Sequence, residues 1–131
     1  MKCYLLFTCI FAVLFSSCAN RNSSNNPNFV QNALLLKKGM RVDQVLKIMG
    51  EPFQSSSIDN PGMVKGKGDN YIFLDSKYST RANLTTTFLN GELTNAMLTI
   101  IDPKGKYNKT KMLIETGPQE YRRKGLLREN F

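Results

Sequence analysis

The 131-residue chain contains no histidine and no tryptophan, and its three cysteines all lie within the first 18 residues. The lack of histidine excludes the commonest general base of catalysis and a common zinc ligand. Cys3 and Cys9 lie in an apolar N-terminal segment, so a chain that began at Cys18 would have no second thiol and no disulfide. We therefore predict no metal site and no cofactor in the domain that follows.

The N-terminus has the three parts of a secretory signal peptide. Lys2 supplies the positive charge, residues 4–15 are almost wholly apolar, and two serines precede Cys18. The apolar run is shorter than the roughly 20 residues that a transmembrane helix needs. Residues 15–18, FSSC, are similar to a bacterial lipobox, in which an apolar residue and two small residues precede the cysteine that receives diacylglycerol. We predict cleavage after Ser17 and lipidation of Cys18. An ordinary signal peptide with an incidental cysteine and an uncut signal anchor are the alternatives.

A polar segment, residues 19–26, follows Cys18 and predicts a short flexible tether. Long acyl chains such as palmitate, at about 0.8 kcal/mol for each buried CH₂, would hold the domain at a membrane surface. The tether lacks an acidic run, which favours a domain facing the periplasm. We therefore divide the chain into a signal peptide (1–17), a lipid-anchored linker (18–26), a folded domain (27–102) and a basic C-terminal extension (103–131).

Two short helices are predicted at the start of the domain. Asn26 and Pro27 form a helix start with proline at the first helical position, and Gly39 is the C′ glycine that ends this helix. The second helix is predicted over Val42–Met49, because its apolar residues recur at the spacing of one helix face. Gly50 caps its end, and Pro52 prevents its continuation.

The rest of the domain predicts β-structure. Residues 53–58 predict a weak strand, residues 59–70 a turn-rich loop, and residues 71–74 a strand. Two β-rich runs then flank Asn90-Gly91, the preferred pair for a type I′ hairpin. If Leu89 pairs with Glu92, an apolar patch forms in which Phe88 faces Leu93 and Leu84 faces Met97.

The two helices are the available cover for that patch, since a hairpin alone is only marginally stable. The predicted fold class is therefore α+β, with two short N-terminal helices packed on a small, about three-stranded antiparallel sheet. After Asp102 the pattern is weak. Residues 112–114 could add an edge strand, and the chain could end in a short helix or in disorder.

Basic side chains outnumber acidic ones over residues 104–131, and the whole chain has a formal net charge of +8. Arg122, Arg123 and Lys124 are candidate contacts with an anionic surface. Export makes nucleic acid an unexpected partner, so anionic lipid headgroups or an acidic protein are the candidates. A solvated tail that keeps the protein soluble is the alternative.

Residues 34–52, LLLKKGMRVDQVLKIMGEP, resemble the signature of the SmpA/OmlA family. These are the BamE-like accessory lipoproteins of the outer-membrane β-barrel assembly machine. The residues that match the family pattern are Gly39, Met40, Gln44, Val45, Leu46, Gly50 and Pro52. The resemblance covers residues 27–101 and implies a lipobox followed by two helices and a three-stranded antiparallel sheet.

We give the motif residues structural rather than ligand-binding roles. One residue departs from the family pattern: Arg41 stands where Thr or Ser is frequent, and arginine cannot accept the amide hydrogen bond of a capping box. Similar motifs occur in other small exported domains, including β-lactamase-inhibitor repeats, so the fold transfers better than the function.

The resemblance implies a non-catalytic scaffold or accessory factor in outer-membrane protein assembly or envelope integrity. Its lipid on Cys18 would hold it in the bacterial cell envelope, on the periplasmic face of the outer membrane, with an outer-membrane protein complex as partner. Two other classes stay open: an inhibitor-like module that binds a periplasmic protein, and a lipoprotein associated with anionic lipid or peptidoglycan. Scattered carboxylates could pair for glycosidase chemistry, but we do not predict an enzyme.

Overall fold

A five-stranded antiparallel sheet forms the centre of the structure. The structure is a computed structural model that describes residues 27–59, 61–76, 80–102, 104 and 108–128, so Cys18, the signal peptide and the linker lie outside the described residues. The strands lie side by side in sequence order: β1 (Gln54–Asp59), β2 (Lys67–Leu74), β3 (Ala82–Leu89), β4 (Glu92–Ile100) and β5 (Lys109–Ile114). The helices of the described chain are α1 (Phe29–Leu34), α2 (Val42–Met49) and α3 (Pro118–Arg123).

The predicted fold class, two helices on a sheet of about three strands, is wrong. The described chain has five strands and three small helices, and strand is its main regular structure. The weak strand predicted over residues 53–58 is present as β1, and the edge strand considered at residues 112–114 is the end of the longer β5. The error is that the predicted sheet of about three strands does not include both of these edges. All six residues of β1 are exposed, and so are the first four of β5. Because neither edge strand buries one face, neither has the apolar–polar alternation that predicts a strand.

Helix α2 has the predicted bounds, whereas α1 is shorter than predicted. Val45 and Met49 of α2 are buried, as its apolar face requires. Helix α1 begins after the N-cap Asn28 and ends at Leu34, well before Gly39. Gly39 has a φ of +83° and donates its N–H to the carbonyl of Leu93, at 2.8 Å. It therefore belongs to the connection between the helices and does not cap α1.

One face of the sheet, here called the helix face, holds the hydrophobic core. The buried strand residues of this face pack with residues of α1, of α2 and of the connection between them. The ring of Tyr71 meets that of Phe88 edge-on, with 5.4 Å between the ring centroids. The buried core residues are Phe29, Ala33, Leu36, Val45, Met49, Phe73, Ala82, Leu84, Phe88, Leu93, Ala96, Leu98 and Ile114.

The β3–β4 hairpin has the predicted turn, but a bulge changes its register. Asn90 and Gly91 have φ values of +53° and +82°, which a type I′ turn requires. Leu89 pairs with Glu92 and Phe88 with Leu93, as predicted, but Thr87 then pairs with Asn95. Thr94 is therefore an extra residue in β4. As a result Leu84 faces Leu98, and its predicted partner Met97 lies on the other face of the sheet.

Candidate interaction surfaces

The sheet face that points away from α1 and α2, here called the open face, carries almost no charge. The strand register defines it, because residues directly opposite each other on paired strands share a face. Glu92, beside the hairpin turn, is its one charged residue among the described strand positions. The others are Gln54, Ser56, Ile58, Gly68, Asn70, Ile72, Leu74, Asn83, Thr85, Thr87, Leu89, Asn95, Met97, Thr99, Thr110 and Met112.

Most of the open face is accessible to solvent. Its apolar residues include Ile58 and Met112, each 47% exposed. The hydroxyl groups of Thr99 and Thr110 form a cross-strand hydrogen bond of 3.2 Å. The hairpin end is the exception: Leu89 is buried, and Pro61 lies over neighbouring Gly68. The face therefore combines small polar groups that can hydrogen-bond with scattered apolar side chains.

The two edges of the sheet differ in how they are protected. The β5 edge carries Lys109 and Lys111, and Leu113 is an extra, bulged residue opposite β4. Lysines and bulges are features that keep an edge strand from pairing with other chains. The β1 edge, Gln54–Asp59, has neither, and its one charge is Asp59 at the last position. Within the described part of the chain, β1 pairs with β2 alone.

The first motif residues hold the α1–α2 connection against β4. Gly39 donates its N–H to the carbonyl of Leu93, and Leu93 donates its N–H to the carbonyl of Met40, both at 2.8 Å. Arg41 forms an isolated antiparallel bridge with Glu92. Residues 39–41 therefore extend the sheet beside the start of β4, in line with β5.

The remaining motif residues act on α2. The backbone N–H of Arg41 donates to Oε1 of Gln44 at 2.9 Å, which is half of a capping box. The guanidinium of Arg41 has no acceptor, so it cannot make the other half. Val45 is fully buried, and Gly50, at a φ of +85°, donates to the carbonyl of Leu46 and ends the helix. Pro52, two residues after Gly50, is half-buried. All these contacts are structural.

The three predicted anionic-surface residues lie together and are exposed. Arg122 and Arg123 form the last turn of α3, and Lys124 is its C-cap. Nearby Glu120 contacts the Lys38 ammonium at 2.6 Å and that of Lys124 at 3.9 Å. The hydrogen bond from Lys38 lowers the pKa of Glu120 from its usual 4.5, with smaller contributions from neighbouring cations. Glu120 thus joins α3 to the α1–α2 connection and leaves Arg122 and Arg123 without an ion pair among the described residues.

The chain after α3 returns to the loop between β1 and β2. Lys65 donates its N–H to the carbonyl of Leu126 at 2.7 Å, and Arg128 donates to that of Met63 at 3.0 Å. Between them Val64 and Leu127 form an antiparallel bridge. This pairing places Lys65 and Arg128 at the same end of the molecule as α3. Sequence reasoning missed it because a bridge of single residues leaves no pattern.

Among the described residues, no group of three or more carboxylates or other metal-ligating side chains is placed to hold a metal ion. None of the described helices is both long enough and apolar enough to cross a membrane.

Comparison of the chain with protein-family models, with curated proteins and with solved structures found no match. The resemblance of residues 34–52 to the SmpA/OmlA family therefore stays a prediction from the motif.

Proposed function

We propose that this chain is a non-catalytic, lipid-anchored protein of the bacterial envelope that acts as a scaffold or accessory factor in outer-membrane protein assembly or envelope integrity. Cys18 would carry the lipid, and an outer-membrane protein complex would be the partner. The observation that supports this most directly is the open face of the sheet, whose one charged residue among the described strand positions is Glu92. It lies in a chain with a net charge of +8.

The composition of the open face suits contact with another protein. The cores of protein–protein interfaces are depleted of charged residues and enriched in methionine and aromatic residues. Met97 and Met112 are directly opposite each other on β4 and β5, and Ile72 lies two strands from Met97. Methionine side chains are flexible and adapt to the shape of a partner. The surrounding threonine and asparagine side chains offer hydrogen bonds without the desolvation cost of a charge.

The size of the open face favours an accessory contact. A sheet of five strands, with strands about 4.8 Å apart and about 3.3 Å of rise per residue, presents roughly 600 Å². A standard interface buries about 800 Å² on each partner. A lipid anchor would compensate, because it confines the domain near its partner and raises the effective concentration.

The test is a cross-linked pull-down of the tagged protein, at its native level, from detergent-solubilised membranes. We expect recovery of an outer-membrane barrel insertase with its lipoprotein partners, and loss of that recovery with Cys18→Ala. A Thr85→Lys variant, which puts a charge in the middle of the open face, should also lose the partner, whereas Thr85→Ser should keep it. Recovery of no membrane complex, or of one soluble enzyme regardless of Cys18, would contradict the proposal.

A second candidate, association with anionic lipid, is supported by the exposed cations at the α3 end of the molecule. Each basic side chain near an anionic membrane contributes about 1 kcal/mol. Substitution of Arg122, Arg123 and Lys124 together by serine should therefore weaken binding to phosphatidylglycerol vesicles by up to about 100-fold at low salt. The Cys18→Ala background removes the lipid anchor from this assay, and substitution of Lys109 and Lys111 is the matched control. If the two sets of substitutions weaken vesicle binding equally, the α3 end of the molecule is not a site for anionic lipid.

A further inference from the structure

We infer that the β1 edge binds an extended segment of a partner protein as a sixth, antiparallel strand of the sheet. The segment would be uncharged, with apolar side chains on the open face and hydroxyl side chains on the helix face. The inference rests on the proposed function in one respect only, namely that the partner is a protein of the bacterial envelope. Its structural basis is the exposed backbone of β1.

The direction of the backbone groups in β2 follows from two hydrogen bonds. Asn90 donates its N–H to the carbonyl of Lys67 at 2.8 Å, so Lys67 directs its carbonyl towards β3. Phe53 donates its N–H to the carbonyl of Ile72 at 2.8 Å, so Ile72 directs its carbonyl towards β1. Because successive residues of an antiparallel strand bond to opposite sides, the even-numbered residues of β2 bond to β1.

The register shows which residues of β1 direct their backbone N–H and C=O groups away from β2. The even-numbered residues of β2 pair with Gln54, Ser56 and Ile58, which therefore use their backbone groups inside the sheet. Ser55 and Ser57 then direct their N–H and C=O groups away from it. A partner strand that lies along this edge would complete the hydrogen bonds of both residues.

Nothing in the chemistry of β1 opposes such pairing. Its central residues, Ser55, Ser56 and Ser57, are small and uncharged. The strand has six residues, which matches the usual length of a β-strand. At the opposite edge of the sheet, β5 has two lysines and a bulge, which are features that prevent pairing with another strand. This contrast between the edges is the reason to assign the binding site to β1 alone.

The neighbours of the added strand determine its side-chain pattern. On the open face it would lie beside Gln54, Ser56 and Ile58 of β1. Ile58 is 47% exposed, and half-buried Ile72 lies one strand further in, so these two supply the apolar contact. On the helix face it would lie beside Ser55 and Ser57, and the Ser57 hydroxyl already donates to the carboxylate of Asp69. Cross-strand pairs of threonine with threonine or serine, and contacts between β-branched apolar side chains, stabilise a sheet. An alternation of valine-like and threonine-like residues therefore fits this edge.

A second copy of this chain is a weaker candidate for the same place. Two β1 strands could pair about a two-fold axis, but each copy carries a net charge of +8, which opposes association. An uncharged segment of another protein meets no such repulsion. The inference therefore commits to a different protein, and self-pairing is an outcome that the test can detect.

The test uses the full-length chain, purified in detergent. The probe is the uncharged labelled peptide Asn-Thr-Val-Thr-Val-Thr-Asn, with its amino end acetylated and its carboxyl end amidated. Ser55→Pro removes one outward N–H and no hydrogen bond to β2, and proline is tolerated at such positions of edge strands. Ser55→Thr keeps the N–H and is the matched control. By fluorescence anisotropy we expect saturable binding to the wild type and to Ser55→Thr, and at least tenfold weaker binding to Ser55→Pro.

N-methylated peptides test the same geometry without changing the protein. The threonines of the probe would lie opposite Ser55 and Ser57 and use their N–H groups to bind them. Methylation of the threonine nitrogens should therefore weaken binding at least tenfold, whereas methylation of the valine nitrogens should not. A probe that fails to bind the wild type, or that ignores threonine methylation, would overturn the inference.

Two further readouts separate the possible failures. A concentration-dependent dimer in sedimentation that is lost in Ser55→Pro would show that a second copy occupies the edge, which also overturns the inference. Peptide binding does not depend on Cys18 or on location in the cell. Binding that follows the expected pattern together with a failed membrane pull-down would therefore remove the envelope role and leave the strand-binding edge.

Discussion

Replacement of Thr116 by valine is expected to destabilise the fold, because Thr116 joins the chain after β5 to the bulge in β4. Its hydroxyl donates to the carbonyl of Thr94 at 2.7 Å, and the two residues are only 9% and 8% exposed. The hydroxyl of Thr94 donates in turn to the carbonyl of Thr87 at 3.0 Å. Valine has nearly the shape of threonine without the hydroxyl, so the substitution removes this one donor and keeps the packing.

The expected loss in the free energy of unfolding is about 1–3 kcal/mol, the cost of a buried polar group left without its hydrogen bond. A net contribution of about 1 kcal/mol would apply if water could replace the donor, but the burial of both residues argues against that. The backbone N–H of Thr116 also donates to Oδ1 of Asn95 at 2.8 Å. Valine keeps this bond, so the backbone should stay in place and the full cost should fall on the Thr94 carbonyl.

Urea unfolding followed by circular dichroism measures the effect. Thr116→Ser keeps the hydroxyl and loses one methyl group, so it should cost no more than about 0.8 kcal/mol. Thr110→Val makes the same change at an exposed threonine. Its free energy of unfolding should stay within about 0.5 kcal/mol of the wild-type value. If Thr116→Val lowers the free energy of unfolding no more than Thr110→Val does, the hydrogen bond from Thr116 to the Thr94 carbonyl does not stabilise the fold.

Three other substitutions test separate parts of the fold by the same measurement. Because the hydrogen bond from Lys38 lowers the pKa of Glu120 below 4.5, Glu120→Gln should lower the urea midpoint at neutral pH. That difference from the wild type should disappear as the pH falls through the lowered pKa. Leu84→Ala, at a fully buried position of β3, should cost about 2–5 kcal/mol. Gly66→Ala should cost about 1–3 kcal/mol in free energy of unfolding, since φ is +121° and the new Cβ would overlap the Asn90 side chain.

Each of these substitutions has a matched control in the described chain. Glu115→Gln changes an exposed glutamate that has no ion pair among the described residues, and should leave the urea midpoint at neutral pH unchanged. Met112→Ala shortens an exposed side chain and should have little effect. Gly62→Ala meets no atom within 4 Å and has a φ of +53°, so it measures the cost of a side chain at a positive φ without a clash. If Gly66→Ala costs no more than Gly62→Ala, the close approach to Asn90 contributes nothing.

The parts of the fold that the sequence predicts well are those fixed by neighbouring residues. Helix α2 has the predicted bounds because its apolar spacing and the glycine after it are local signals. The hairpin turn is as predicted because Asn90 and Gly91 tolerate the positive φ that a type I′ turn requires. Both features lie within a few residues of the signal that predicts them.

The parts that the sequence does not predict depend on contacts between distant residues. The bulge at Thr94 is stabilised by Thr116, which is 22 residues away along the chain. Strand β1 is exposed throughout and has Ile58 as its one apolar residue, so the sequence predicts it only as a weak strand, and its backbone hydrogen bonds to β2 are what define it. Gly39 and Met40 pair with β4, so the first helix cannot continue to Gly39 as predicted.

The candidate surfaces follow the same division. Arg122, Arg123 and Lys124 are close in sequence, so their cluster can be found without a structure. The open face combines single residues from five strands, and its lack of charge becomes visible only when the strand order and the register are known. The protection of one edge and not the other likewise requires knowledge of which strands are the edges.

The asymmetry of the sheet also limits what it can build. The outer side of β4 is occupied by β5 and by residues 39–41, and β5 carries lysines and a bulge on its own outer side. Within the described chain, the outer side of β1 is therefore the edge left for strand addition. A protein that could add strands at both edges would propagate head-to-tail into filaments. A sheet that accepts a strand at β1 alone can add only one strand. This limit suits a one-to-one complex with a partner protein.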